Sequence, residues 1–166
     1  MFPLTSPSRA TVDKQLLGFW KRPEKSGQTV GVYTLSECAK LGATLVDHPN
    51  IPRGAMFATY ASLNTLPIYD GVSEVAVCWP TQIGSTSYLN TVFYDTKTKK
   101  LRTGSKSTVI FKYVVTGDSL AFYELSTAAK TRIKARLGDD YNSADLLQEI
   151  SKATEWDKSI TLTRIR

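Results

Sequence analysis

A single histidine, His48 in VDHPN, and two cysteines, Cys38 and Cys78, are joined by three strand-borne carboxylates, Glu74, Asp95 and Glu124, as the residues able to carry a reaction. Asp47-His48 beside a serine or cysteine would nominally compose a nucleophilic triad, but the GxSxG elbow that exposes such a serine is missing. One histidine and two separated cysteines do not make a tetrahedral zinc site, and no acidic loop of calcium type is present, so neither metal nor cofactor is expected. Glycoside hydrolysis needs two carboxylates at a fixed separation. In VSEVAVCW, Val75, Val77 and Trp79 are expected on the core face, which leaves Glu74 solvated on the other. No glycine-rich segment leads into a helix as a phosphate cradle would. The chain is therefore expected not to be an enzyme; were it one, His48 or Glu74 would do the work.

What the strands do carry is aromatic surface able to line a ligand pocket. Tyrosine and tryptophan offer an apolar ring with a polar tip, and Trp79, Tyr88 and Asn90 are expected at the rim of a pocket with Tyr113 also touching the ligand. The run WPTQIGSTSYLNTVFYD, from Trp79 to Asp95, is read as a corner at which Pro80 and Gly84 separate one strand from the next. The expected occupant is a small hydrophobic or amphipathic molecule, or an envelope protein partner.

Net charge is +6, concentrated in two places. Lys97, Lys99, Lys100, Arg102 and Lys106 lie in a probable hairpin connection, and Lys130, Arg132, Lys134 and Arg136 on a helix face. Such clusters can meet an acidic partner, and the segment 130–136 supports an alternative reading as a protein-interaction module with a filled barrel. Nucleic acid is not expected, because basic residues interleaved with aromatic ones occur only in VIFKYVV.

These residues need a scaffold. At 166 residues the chain is long enough for one core, and 42% apolar with 22% charged residues is ordinary globular composition. No apolar run approaches the roughly 20 residues that span a bilayer, and the opening MFPLTSPSRATVDK lacks the pattern of a signal peptide. The two cysteines could form one bridge or none. Nine strand-like runs, LLGFWKR, QTVGVYTL, ATLVD, AMFATYASL, VSEVAVCW, SYLNTVFYD, STVIFKYVV, SLAFYEL and SITLTRIR, are separated by Gly, Pro, Asn, Asp and Ser. In STVIFKYVV, Val109, Phe111, Tyr113 and Val115 form the inward face. Gly117-Asp118 suits a type II′ hairpin. STAAKTRIKARLG reads as a helix capped by Ser126 and Gly138 with Ala129, Ile133 and Leu137 on one face. NSADLLQEISKATEW reads as a second, capped by Asn142 or Ser143, with Leu146, Leu147 and Ile150 aligned. Many antiparallel strands in sequence order close most readily as an up-and-down barrel, here with two short helices before the last strand.

Gly18-Phe19-Trp20 resembles the Gly-x-Trp signature that opens the first strand of lipocalins. That resemblance implies a lipocalin-like barrel whose closed end is covered by Trp20, with Arg164 or Arg166 stacked on it. SPSRATVDKQLLGFW, PTQIGSTSYLN, YVVTGDSLAFYEL and the ending LTRI are similar to a group of small bacterial proteins, many of them lipoproteins. This second resemblance implies a flexible N-terminal tether over residues 1–13 ahead of one barrel domain over 14–166. It also implies the cell envelope or periplasm, near a membrane through a lipid anchor, with the cytoplasm as the alternative.

Overall fold

The computed structural model describes residues 3–5, 9–23, 28–34, 54–62, 74–95, 98, 100–101, 108–138 and 141–165. Strands β1 (Gly18–Lys21), β2 (Gln28–Thr34), β3 (Met56–Ser62), β4 (Glu74–Ile83) and β5 (Thr86–Asp95) form the first half. The two-residue β6 (Lys100–Leu101), β7 (Thr108–Thr116) and β8 (Ser119–Leu125) follow. Helices α1 (Thr127–Leu137) and α2 (Ser143–Lys152) then intervene before β9 (Trp156–Arg164). The sheet order is β4-β3-β2-β1-β9-β8-β7-β5-β6, and β4 also pairs with β5. All pairs are antiparallel, β6 sits beside β5, and the other eight strands close a barrel. Closure leaves none of those eight as a bare edge. His48, Cys38 and the strand expected in ATLVD lie outside the described residues.

Hairpins fix the register. Thr116 pairs with Ser119 across Gly117-Asp118, and Gly117 has φ 57°, a conformation that a side chain would penalise. The expected corner in WPTQIGSTSYLNTVFYD is one continuous hairpin. β4 runs through Pro80 to Ile83, the turn is Gly84-Ser85, and Ile83 pairs with Thr86. Pro80 does not break the strand because pairing to β3 ends at Cys78, so no neighbour on that side calls for its missing N–H.

Among the described residues, alternation along the strands separates an inner core from an outer one. Inside the barrel, Trp20, Val32, Met56, Cys78, Leu89 and Tyr113 pack with Leu16, Leu120 and Leu162. Phe111, Tyr113 and Val115 face inward as expected from the period of β7. The outer core packs Tyr88, Ile110 and Leu125 against Ala129 and Ile133 of α1, Leu146 and Ile150 of α2, and Leu4. On β4 the expected faces are exchanged: Ala76 and Cys78 point inward, whereas Val77 and Trp79 point outward and are nevertheless 0% and 1% exposed. Thr5 lies against Trp79 on that outer side, its hydroxyl accepting the indole N–H at 3.3 Å.

The helices end where their caps dictate. The Ser126 hydroxyl accepts from the Ala129 N–H at 3.1 Å, and the Gly138 N–H closes α1 on the Lys134 carbonyl at 3.0 Å. Asn142 caps α2, accepting from Ala144 and Asp145 N–H while its own N–H donates to Asp145 Oδ2 at 3.1 Å. This reciprocal capping box is worth about 1 kcal/mol.

Candidate functional site

One barrel end is closed by the chain entering β1. A turn over residues 13–16 is held by the Leu16 N–H on the Asp13 carbonyl at 3.0 Å. Trp20 is fully buried and its indole N–H donates to the Leu16 carbonyl at 2.9 Å. The Arg164 guanidinium lies 4.2 Å from the Trp20 ring centroid, and its two terminal nitrogens donate to the Leu17 and Gln15 carbonyls at 2.7 and 2.6 Å. Trp20 and Arg164 are also opposite each other in the β1–β9 ladder. Gly18 explains the glycine of the Gly-x-Trp motif: its φ is 112°, and a Cβ there would come within 3.2 Å of Arg164 Nη1. Arg164 thus lies on the Trp20 ring, and Arg166, the other arginine considered for that place, lies outside the described residues.

Above this floor lies a cavity of about 330 Å³. Val30 and Val32 of β2, Ala58 of β3, and Ala76 and Cys78 of β4 form a wall of small or branched side chains. Leu89, Thr91 and Phe93 of β5, Phe111 of β7 and Phe122 of β8 form the rest. Leu16, Leu120 and Leu162 make its base, and Arg22, Glu124 and Ser159 stand at the mouth. Ser159 reaches that position through an irregularity in the β8–β9 ladder, where Phe122 pairs with Ile160 but Tyr123 pairs with Lys158, so Ser159 is the extra residue of a bulge. Its hydroxyl donates to Glu124 Oε1 at 2.9 Å, and Lys130 Nζ reaches Glu124 Oε2 at 3.3 Å.

The polar groups inside are few. The Cys78 thiol is free, donates to the Met56 carbonyl at 3.5 Å, and is pushed up to about 12 by burial. A thiol so held stays protonated and is a poor nucleophile. The Thr91 hydroxyl, directly across the ladder from Cys78, is buried without a hydrogen-bond partner. Tyr113 lies below the cavity in the inner core. Its hydroxyl donates to Asp13 Oδ2 at 2.6 Å, and burial, reinforced by that carboxylate, holds it protonated well above the usual tyrosine range. Tyr113 therefore braces the floor rather than the pocket wall.

Trp79, Tyr88 and Asn90, expected at a pocket rim, come together on the outer face instead. Asn90 is fully buried, and its amide nitrogen donates to the Trp79 carbonyl at 3.1 Å and to Thr81 Oγ1 at 2.8 Å. Its amide oxygen accepts the Leu4 N–H at 2.6 Å. The Thr5 hydroxyl pairs with that of Thr81 at 2.7 Å and accepts from the Trp79 indole at 3.3 Å. Leu4 and Thr5, within the segment expected as a tether, are thereby packed onto β4 and β5. Tyr88 stacks at a tilt on Trp156, centroids 5.5 Å apart, under the helices. The three residues are opposite in direction to the cavity because Leu89 and Thr91, beside Tyr88 and Asn90 on β5, and Cys78, beside Trp79 on β4, occupy the inward positions.

The residues that do line the cavity left a faint trace in the sequence. Ala58 and Ala76 stand at inward positions of otherwise bulky runs, and a small residue there leaves space. The ladder places the two directly opposite each other, a pairing that their separation along the sequence hides from view. Among the described residues no group of three or more histidine, cysteine, aspartate or glutamate side chains could hold a metal ion, and no helix is long and apolar enough to cross a membrane. Comparison with protein-family models, with curated proteins and with solved structures returned no match. The class of protein is set by the fold: a closed antiparallel β-barrel with an internal cavity and two helices laid on its wall.

Proposed function

We propose that this barrel is a non-catalytic binding protein that takes a small apolar or amphipathic molecule into its interior. The observation that carries the reading is the cavity itself, about 330 Å³ in volume, with mainly apolar walls and its charged groups at the mouth. Ligand pockets start at about 300 Å³ and combine apolar walls with a few polar groups. A buried cavity of about 150 Å³ holds benzene, so a molecule on the order of a dozen non-hydrogen atoms would fit here. Catalysis finds little support: the cavity's one thiol is held protonated, and Glu124 is engaged by Ser159 and Lys130.

The alternative, an interaction surface on the basic segment 130–136, loses much of its charge to the molecule's own carboxylates. Lys130 pairs with Glu124, Arg132 with Glu155, and Arg136 with Glu149 at 3.0 Å. The Arg136 bond also holds the Glu149 carboxyl below its usual range. For location we take the bacterial cell envelope, on the resemblance to lipoproteins alone, with the cytoplasm as the alternative. Native mass spectrometry of the purified protein, followed by displacement of a small uncharged fluorescent probe such as 1-aminonaphthalene, tests the binding function. A co-purified small molecule, or saturable probe binding removed by Ala76→Leu, is expected. A parent protein with no adduct and no saturable probe binding overturns the proposal.

A further inference from the structure

Resting on that reading, we infer that the cavity is a slot for a flat, uncharged ring system rather than for a flexible acyl chain, and that Ala58 and Ala76 are the residues that set its width. The space exists because two of the smallest side chains occur at one level of the sheet. Val32, Ala58, Ala76 and Phe93 form a single row across β2, β3, β4 and β5 through successive cross-strand pairs. Anything larger at the two central positions would project into the cavity.

Across the barrel the wall has a different character. In the eight-membered ring of strands, β8 lies four places from β3 and is therefore diametrically opposite it, and β7 is likewise opposite β2. Phe122 of β8 and Phe111 of β7 both line the cavity there, in edge-to-face contact with centroids 5.6 Å apart. Phe93 brings a third ring on the β5 side. One face of the void is thus aromatic and the other is the shallow trough over Ala58 and Ala76.

A rigid planar molecule fills such a space at little entropic cost and presents its π-face or edge to the phenylalanines. A chain of similar hydrophobicity must surrender several rotatable bonds to the same volume and gains no ring contacts. The interior offers a charge no counterpart, since its polar groups below the mouth are the Thr91 hydroxyl and the Cys78 thiol. A charged group buried there would be strongly penalised.

The test uses the intact protein and isothermal titration with 2-naphthol and 1-octanol, which carry one hydroxyl each and are of similar hydrophobicity. The expected result is binding of 2-naphthol about tenfold tighter or more, a ratio that shrinks toward one in Phe111→Leu, where the wall keeps its apolar bulk but loses a ring. Ala76→Leu should weaken 2-naphthol at least about tenfold, with Ala58→Leu as the second variant should the first fail to fold. Equal or tighter binding of 1-octanol by the parent overturns the inference while leaving a binding function intact, and that result depends on no variant. A ratio unchanged in folded Phe111→Leu also overturns it. If neither compound binds and no small molecule co-purifies, both the inference and the binding function fall.

Discussion

Replacing Trp20 by alanine should remove a large share of the protein's stability, because three kinds of interaction meet on that one side chain. The ring is fully buried between Leu16, Val32 and Leu162 in the inner core. Truncating a buried tryptophan costs about 3–5 kcal/mol, the spread reflecting how far the site can collapse. Collapse here is resisted by closed sheet on all sides. The lost indole N–H leaves the Leu16 carbonyl without the bond it accepts at 2.9 Å, a further penalty of about 1 kcal/mol or more if water does not reach it. The Arg164 cation loses the ring 4.2 Å away, worth about 0.5–1 kcal/mol where exposed and more where desolvated. The total falls at or above about 5 kcal/mol, against a typical domain stability of about 5–15 kcal/mol.

Urea denaturation followed by far-ultraviolet circular dichroism measures this directly, and Trp20→Phe separates the parts. Phenylalanine keeps most of the buried area and loses the indole donor and the richer π-face, so its cost should stay at about 1–3 kcal/mol. A double-mutant cycle with Arg164→Lys should show coupling of about 0.5–2 kcal/mol between the two sites. A Trp20→Ala protein within about 1.5 kcal/mol of the parent would refute the closed-end account, since no arrangement of a buried, hydrogen-bonded and stacked tryptophan allows so small a loss. A coupling of zero would leave burial in place and remove the stack.

Asn90→Ala strips three polar groups of their partner at once, the Leu4 N–H, the Trp79 carbonyl and the Thr81 hydroxyl. It should cost about 2–4 kcal/mol in urea melts and make the segment around Leu4 the first site of limited proteolysis. Cys78 titrates at about 12 in the folded protein against 9.0 for an ordinary thiol, so its contribution is fully present below pH 9.0 and is lost as pH rises toward 12. The stability difference between parent and Cys78→Ala should shrink by about 1.4 kcal/mol per pH unit in that window, and in a Cys38→Ser background native thiol labelling at pH 8 should proceed only as fast as the protein opens. Ala58→Leu should raise stability by about 1–2 kcal/mol by filling empty space, read as a higher urea midpoint, while abolishing displacement of the apolar probe.

The strand pattern of this chain made the barrel legible, and the residue types at helix ends made both helices legible nearly to their caps. Gly117-Asp118 marked its hairpin because a turn residue with positive φ has few chemical solutions, and Ser126, Asn142 and Gly138 marked their helix ends for similar reasons. Alternation, by contrast, separates two faces without saying which is interior. On β4 that choice was inverted, since Val77 and Trp79 look more like core than Ala76 and Cys78 do. They are buried, but on the outer side of the wall, where Thr5 meets Trp79. The same side holds Trp79, Tyr88 and Asn90 away from the pocket. Their aromatic and amide character answers to Leu4, Thr5 and Trp156, which no local pattern places beside them. The cavity was illegible for a related reason: it is defined by Ala58 and Ala76, residues conspicuous only for what they lack, and only the β3–β4 register sets them opposite each other.

Why such a void persists is a question of magnitude. At about 24 cal/mol per Å³, a cavity of about 330 Å³ would cost roughly 8 kcal/mol if it were dry and sealed. That is comparable to the whole net stability of an ordinary domain. The mouth, bordered by Arg22, Glu124 and Ser159, admits solvent and lowers the cost without abolishing it. A chain with a single core would find the burden hard to carry. This one has a second core outside the barrel, where Leu125, Ile133, Leu146 and Ile150 bury side chains almost completely; at about 1.5–3 kcal/mol for each fully buried aliphatic side chain, the four contribute about 6–12 kcal/mol, comparable with the inner deficit. Leucine at position 58 or 76 would recover about 1–2 kcal/mol of the deficit by a single substitution. The helices thus let the interior stay hollow without loss of the fold, and the proposed occupant would offset the cost that an empty interior carries.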